Sequence, residues 1–232
     1  MRERRTLRGG HTLRKRSGLV SLIATLACTV LVPAFAQDYV PVNMRLLTAA
    51  RAGDLPAVQR LLSDGASIDS RNRLGETPLL IALKRGDDAM ATWLVEHGAD
   101  VKQSAINGVT PLMAASFEGK TDLARIFLER GADPQVIDRV HKPAMVYAAG
   151  NGHTAIVVLL LDHGVTANQR YAGQQTALMW AAGFDHAETA ELLLARGADA
   201  TLRDDRGWTA AEQARANGHP ALAARLEALP GR

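Results

Sequence analysis

Glycine closes a leucine-rich run at Gly65, Gly98, Gly131, Gly164 and Gly197, and every step is 33 residues. A chain that repeats itself at such a spacing is constrained to stack copies of one small unit. The unit openings keep the same interval at Thr77, Thr110, Pro143, Thr176 and Thr209, with Met44 one step earlier. Pairs of small residues follow at Ala49-Ala50, Ala148-Ala149 and Ala181-Ala182, with near relatives at Ala82-Leu83 and Ala115-Ser116.

Each period reads as two short helices and a loop. Thr suits an N-cap because its hydroxyl can accept from an orphan helix N–H, and Pro at the next position (Pro78, Pro111) has no N–H to lose. The small pair lets a neighbouring helix approach closely. A polar turn follows, as in Arg85-Gly86-Asp87, Glu118-Gly119-Lys120 and Asn151-Gly152-His153. A second helix then carries apolar residues at helical spacing (Leu123, Ile126, Phe127, Leu128) and ends at a glycine able to take the left-handed C-cap. The turn-forming stretch before the next Thr is too short for a helix and suits a hairpin-like loop.

The units TPLLIALKRGD, TPLMAASFEGK, AMVYAAGNGH and TALMWAAGFDH, each followed by a leucine-rich run and glycine, resemble ankyrin repeats over roughly residues 39 to 232. The family's usual His after T-P-L is absent, with Leu80, Met113, Val146, Met179 and Glu212 in its place. That His is structural in the family, so its loss bears on local hydrogen bonding and leaves the fold expectation intact. The resemblance implies an all-α solenoid of about six stacked helix-turn-helix units with β-hairpin-like loops. The units begin near residues 39, 72, 105, 138, 171 and 204 within a domain spanning 44–232, after a linker at 37–43. The first and last units are expected to be caps with polar outer faces, carried by Arg45, Arg51, Asp54, Gln59 and Arg60, and by Glu212, Gln213, Arg215, Arg225 and Glu227.

Asp185, His186 and Glu188 could hold a metal or move protons. His186 matches His153 and His219 in the repeat frame, however, which assigns it to the turn that caps and connects the two helices. His97 and His163 precede C-capping glycines, where a basic side chain suits the helix dipole. The Pro-Cys-x-x-Cys half of a zinc deaminase pattern is missing, as are a phosphate loop, a G-x-S-x-G elbow and a His-Glu-x-x-His helix. The expectation is a protein with no catalytic residues, metal or cofactor. Trp93, Trp180, Met113 and Met179 fall at helix positions, and Tyr147 shares the inner-helix position of Trp180.

The first residues are of another kind. Arg2, Arg4, Arg5, Arg8, Arg14, Lys15 and Arg16 precede an apolar run from Gly18 to Val32, which Ala34-Phe35-Ala36 closes. This is the order of a secretory signal peptide, residues 1–36, cleaved between Ala36 and Gln37. An uncleaved anchor, a lipoprotein site at Cys28 and a twin-arginine signal at Arg4-Arg5 are the alternatives. The chain has 27 basic and 24 acidic residues. Removing residues 1–36 takes seven basic residues and one acidic residue, leaving 20 against 23, a net charge of −3. The basic balance therefore belongs to the signal and is no argument for nucleic acid. The only cysteine, Cys28, leaves with it.

A monomeric protein-interaction module in a bacterial periplasm or secreted, off the membrane once cleaved, is the resulting expectation. It would act as a scaffold or protective partner of another exported protein. A small-ligand or metal-binding protein and an accessory subunit of an envelope enzyme are the rivals. In the resemblance, loop tips and residues after the small pair line a concave binding surface. Mapped onto this chain they are Arg73, Leu74, Lys84, Arg85, Phe117, Glu118, Arg139, Phe184 and Trp208, with Arg206 at the rim. Phe117, Phe184 and Trp208 are the expected anchors.

Overall fold

The computed structural model describes residues 40–228. The expected signal, its cleavage point and residues 37–39 of the linker lie outside the described residues. Twelve helices and no strand occur among those described. The inner helices are α1 (Val42–Ala52), α3 (Pro78–Arg85), α5 (Pro111–Glu118), α7 (Ala144–Gly150), α9 (Ala177–Gly183) and α11 (Ala210–Ala216). The outer helices are α2 (Leu55–Ser63), α4 (Asp88–Glu96), α6 (Thr121–Glu129), α8 (Thr154–Asp162), α10 (Ala187–Ala195) and α12 (Pro220–Glu227). Each inner helix packs on the next, as do the outer helices from α4 to α10, so the chain is an all-α repeat solenoid. The first helix starts at Val42, inside the segment assigned to the linker, so Val42 and Asn43 belong to α1.

The caps explain where the helices start and stop. Thr77, Thr110, Thr176 and Thr209 each accept from the backbone N–H three residues on. Pro143 offers no such bond to α7. Where the family has His, Leu80, Met113, Val146 and Met179 are buried, and apolar packing replaces that side chain's hydrogen bonds. Glu212 is the exception and closes a capping box by accepting from Thr209 N–H at 2.6 Å. At the outer-helix ends, Gly65, Gly98, Gly131, Gly164 and Gly197 all take positive φ, which glycine adopts without a Cβ clash. The amide that follows each glycine bonds back into the last turn, as Ala132 N–H does to Phe127 O at 2.9 Å.

The core consists of columns with the repeat spacing. Leu61, Leu94, Phe127, Leu160, Leu193 and Leu226 form one, Leu46, Leu79, Leu112, Met145 and Leu178 another, and all are buried. The small pairs are buried between consecutive inner helices, where a larger side chain would hold them apart.

Loops fold back through backbone bonds such as Asn72 N–H to Glu76 O and Asp204 N–H to Trp208 O. Neighbouring loops are also joined: Ile106 N–H donates to Leu74 O (2.8 Å), Arg139 to Asn107 (2.9 Å) and Asp205 to Gly173 (3.0 Å). Among the described residues, the equivalent bond from Ala172 to Val140 is missing, and a 3-10 turn, Ala172–Gln174, lies there instead.

Candidate functional site

The inner helices and loop tips carry the residues expected to meet a partner, and their exposure separates surface from core. Leu74 (61 %), Phe117 (51 %) and Phe184 (56 %) are exposed, as are Arg73, Lys84, Arg85, Glu118 and Arg139. Trp208 is not an exposed anchor. It is half-buried, and the Arg206 guanidinium lies over its ring at 4.2 Å. Arg206 is not a free rim charge either, because it donates two hydrogen bonds to Asp204. The buried Asp204 carboxylate draws both residues inward, accepting also from the Trp208 backbone N–H and the Gln213 amide. Burial alone would raise the Asp204 pKa, but these hydrogen bonds outweigh it and hold the group below the usual carboxylate range.

Two aromatic groups occupy the inner face. In the third and fourth units the Phe117 ring meets Tyr147 edge-on at 6.0 Å. In the fourth and fifth, Trp180 stacks on Phe184 at 6.1 Å, and the Lys142 ammonium sits 4.4 Å over the Trp180 ring. Gly150 lies beside this second pair, where a Cβ would make ordinary contact with Trp180 at 3.6 Å and Phe184 at 3.9 Å. Beside the first pair a cavity of about 290 Å³ is lined by Lys84, Val109, Met113, Ala114, Phe117, Glu118 and Tyr147. The three expected residues Lys84, Phe117 and Glu118 therefore meet at one place, away from Phe184 and Trp208.

The charges of this face are set from beneath. The nearly buried Glu76 accepts from Lys84 at 2.6 Å and from Asn72 at 2.7 Å. Burial works to raise its pKa, but those two bonds and the charges of Lys84 and Arg51 prevail and keep it low and ionised. Asp138, also buried, accepts from the Val140 and Lys142 backbone amides and from the Tyr147 hydroxyl. Burial, then this bond and the Asp138 charge, push the Tyr147 hydroxyl pKa up, so Tyr147 stays neutral.

Asp185, His186 and Glu188 do not assemble, and no group of residues able to hold a metal occurs among the described residues. His186 does not cap its own helix. Its Nε2 contacts Gly150 O in the preceding unit at 3.0 Å, and His153 reaches Phe117 O in the same way. His153 and His186 therefore fasten their units to the preceding ones. Ile106 and Val140 were missed as surface residues, although they occupy the repeat positions of Arg73 and Leu74 and are 54 % and 60 % exposed.

Comparison with the curated proteins gave no match. The family model for ankyrin repeats (3 copies) matches residues 46–138 and 132–204, which takes in most of the units described above. The chain belongs to the ankyrin repeat family.

Proposed function

We propose that this protein is a scaffold or protective partner of another exported protein, engaged through the inner face of units three to five. The coarser part follows from the family: ankyrin repeats mediate protein–protein interaction and are typically non-enzymatic. The observation that carries the rest is the two half-exposed aromatics Phe117 and Phe184, each packed on a second, half-buried ring (Tyr147 and Trp180). Aromatics held in this way combine large contact area with little loss of freedom on binding, as interface anchors do. The adjoining cavity, about 290 Å³, lies at the lower limit of the roughly 300–1,000 Å³ that small-molecule sites occupy, which favours a protein side chain as its guest. Placement in a periplasm rests on the basic, apolar and Ala-x-Ala order of residues 1–36.

Copurification from an envelope fraction tests the proposal. One stoichiometric protein should be recovered, and Phe117→Ala and Phe184→Ala should each weaken it by about 1–2 kcal/mol with little change in melting temperature. Equal affinity in both variants would place the interface elsewhere. A copurifying metal or cofactor without a protein would favour the ligand-binding alternative.

A further inference from the structure

The inner face has more positive charge than its own carboxylates neutralise. Among the described residues, Arg51, Arg73, Arg85 and Arg139 have no carboxylate within 4.0 Å, and Lys142 is engaged with the Trp180 ring instead. The acids nearby are already committed. Glu76 is held by Lys84 and Asn72, and Asp138 is buried against Tyr147 and two loop amides. Of the acids lining the cavity or the loop tips 72–76, 105–109 and 138–142, Glu118 alone is left exposed.

These cations follow the fold. Arg73 and Arg139 occupy one loop-tip position on either side of the exposed Ile106, and backbone bonds from Ile106 N–H to Leu74 O and from Arg139 N–H to Asn107 O tie the three loops together. Arg85 ends α3, where a Cβ on Gly53 would lie 3.0 Å from its guanidinium. Arg51 ends α1 close enough to act on Glu76. Between the loop tips and the inner-helix ends lies the cavity walled by Val109, Met113, Ala114 and Phe117.

We infer that the inner face of units two to four takes an acidic peptide segment, one bulky apolar side chain of which seats in the cavity beside Phe117. This deepens the protein-binding reading and rests on it. Unpaired guanidinium groups give carboxylates two-pronged donors, and the apolar walls reject the solvated charge itself, so both features are needed on one ligand. A nucleic acid offers the negative charge but no aliphatic or benzyl group for a cavity lined by Met113 and Val109.

Fluorescence anisotropy with the purified chain tests this, using a labelled Asp/Glu-rich peptide that carries a single Phe. That peptide should bind, and its affinity should fall about tenfold or more when its Phe becomes Ala or its acids become Lys. Arg73→Glu with Arg139→Glu should weaken it similarly, Phe117→Ala should weaken it without lowering the melting temperature, and added salt should slow association. Equal binding of the Lys-flanked peptide, tighter binding of a single-stranded oligonucleotide, or self-association of the chain that blocks the peptide would each overturn the inference. So would no binding of the acidic peptide. If in that case Phe117→Ala still abolished capture of the copurifying protein, the interaction reading would stand and only the acidic chemistry would fall.

Discussion

Leu193 has no exposed surface, because α10 turns it into the column shared with Leu160 and Leu226. Leu193→Ala should therefore cost about 2–5 kcal/mol in urea unfolding, since such a column cannot collapse around the missing atoms. His186→Ala should cost less, about 0.5–1.5 kcal/mol, the worth of one hydrogen bond to Gly150 O, and should leave any metal content unchanged. Glu76 and Asp204 bring pH into the account. Both carboxyls are more acidic folded than unfolded, so their pairing stabilises the fold above the usual carboxylate range and is lost as pH falls through and below it. Chains with Glu76→Gln or Asp204→Asn should lose less stability on acidification than the parent, as thermal melts across that range would reveal. Parallel curves would mean that these acids are not coupled to folding.

At the scale of elements, the fourth unit departs from its neighbours. Pro143 leaves α7 without a hydroxyl cap, whose loss typically costs about 0.5–2 kcal/mol. His141 has φ 58°, in the left-handed region where Gly75, Gly108 and Gly207 stand in other units. Asp138 opposes this strain by gathering two loop amides and the Tyr147 hydroxyl. His141→Gly should stabilise the chain by up to about 1 kcal/mol by relieving the Cβ clash, and Asp138→Ala should destabilise it by more. Hydrogen exchange should show the loop 138–143 opening more readily than its equivalents at 72–77, 105–110 and 204–209, and the Ala172 amide, without its inter-loop bond, exchanging faster than Ile106, Arg139 and Asp205. Equal protection would contradict both. The missing cap was legible in the sequence because Pro143 stands in the Thr frame. The brace from Asp138 to Tyr147 was not, because it joins a loop to a helix through side chains whose directions no periodicity specifies.

For the whole molecule, spacing alone carries most of the architecture: a unit that cannot bury its own apolar face must stack, so the same positions recur in every column. The caps, the small pairs and Leu193 were readable for that reason. The site was readable only in part. Phe117 and Phe184 lie just beyond the small pair and emerge on the surface, whereas Trp208 is covered because Arg206, two residues away, is drawn to a buried acid. Such competition between neighbours within one loop has no trace in a repeat frame. The proposed export belongs to the scale of the whole chain: intact-mass analysis of protein recovered from an envelope or secreted fraction should find an N-terminus at Gln37; Met1, or lipid on Cys28, would contradict the secretory reading.

The central claim is that the inner face is where a protein partner sits. Site-specific photo-cross-linking tests it most directly, with a benzophenone amino acid at position 117 on the inner face or at 129 on outer helix α6, where Glu129 is exposed. A partner seated on the inner face should give one discrete protein adduct from position 117 and none from 129. Adducts from 129 alone, or equally from both, would contradict it.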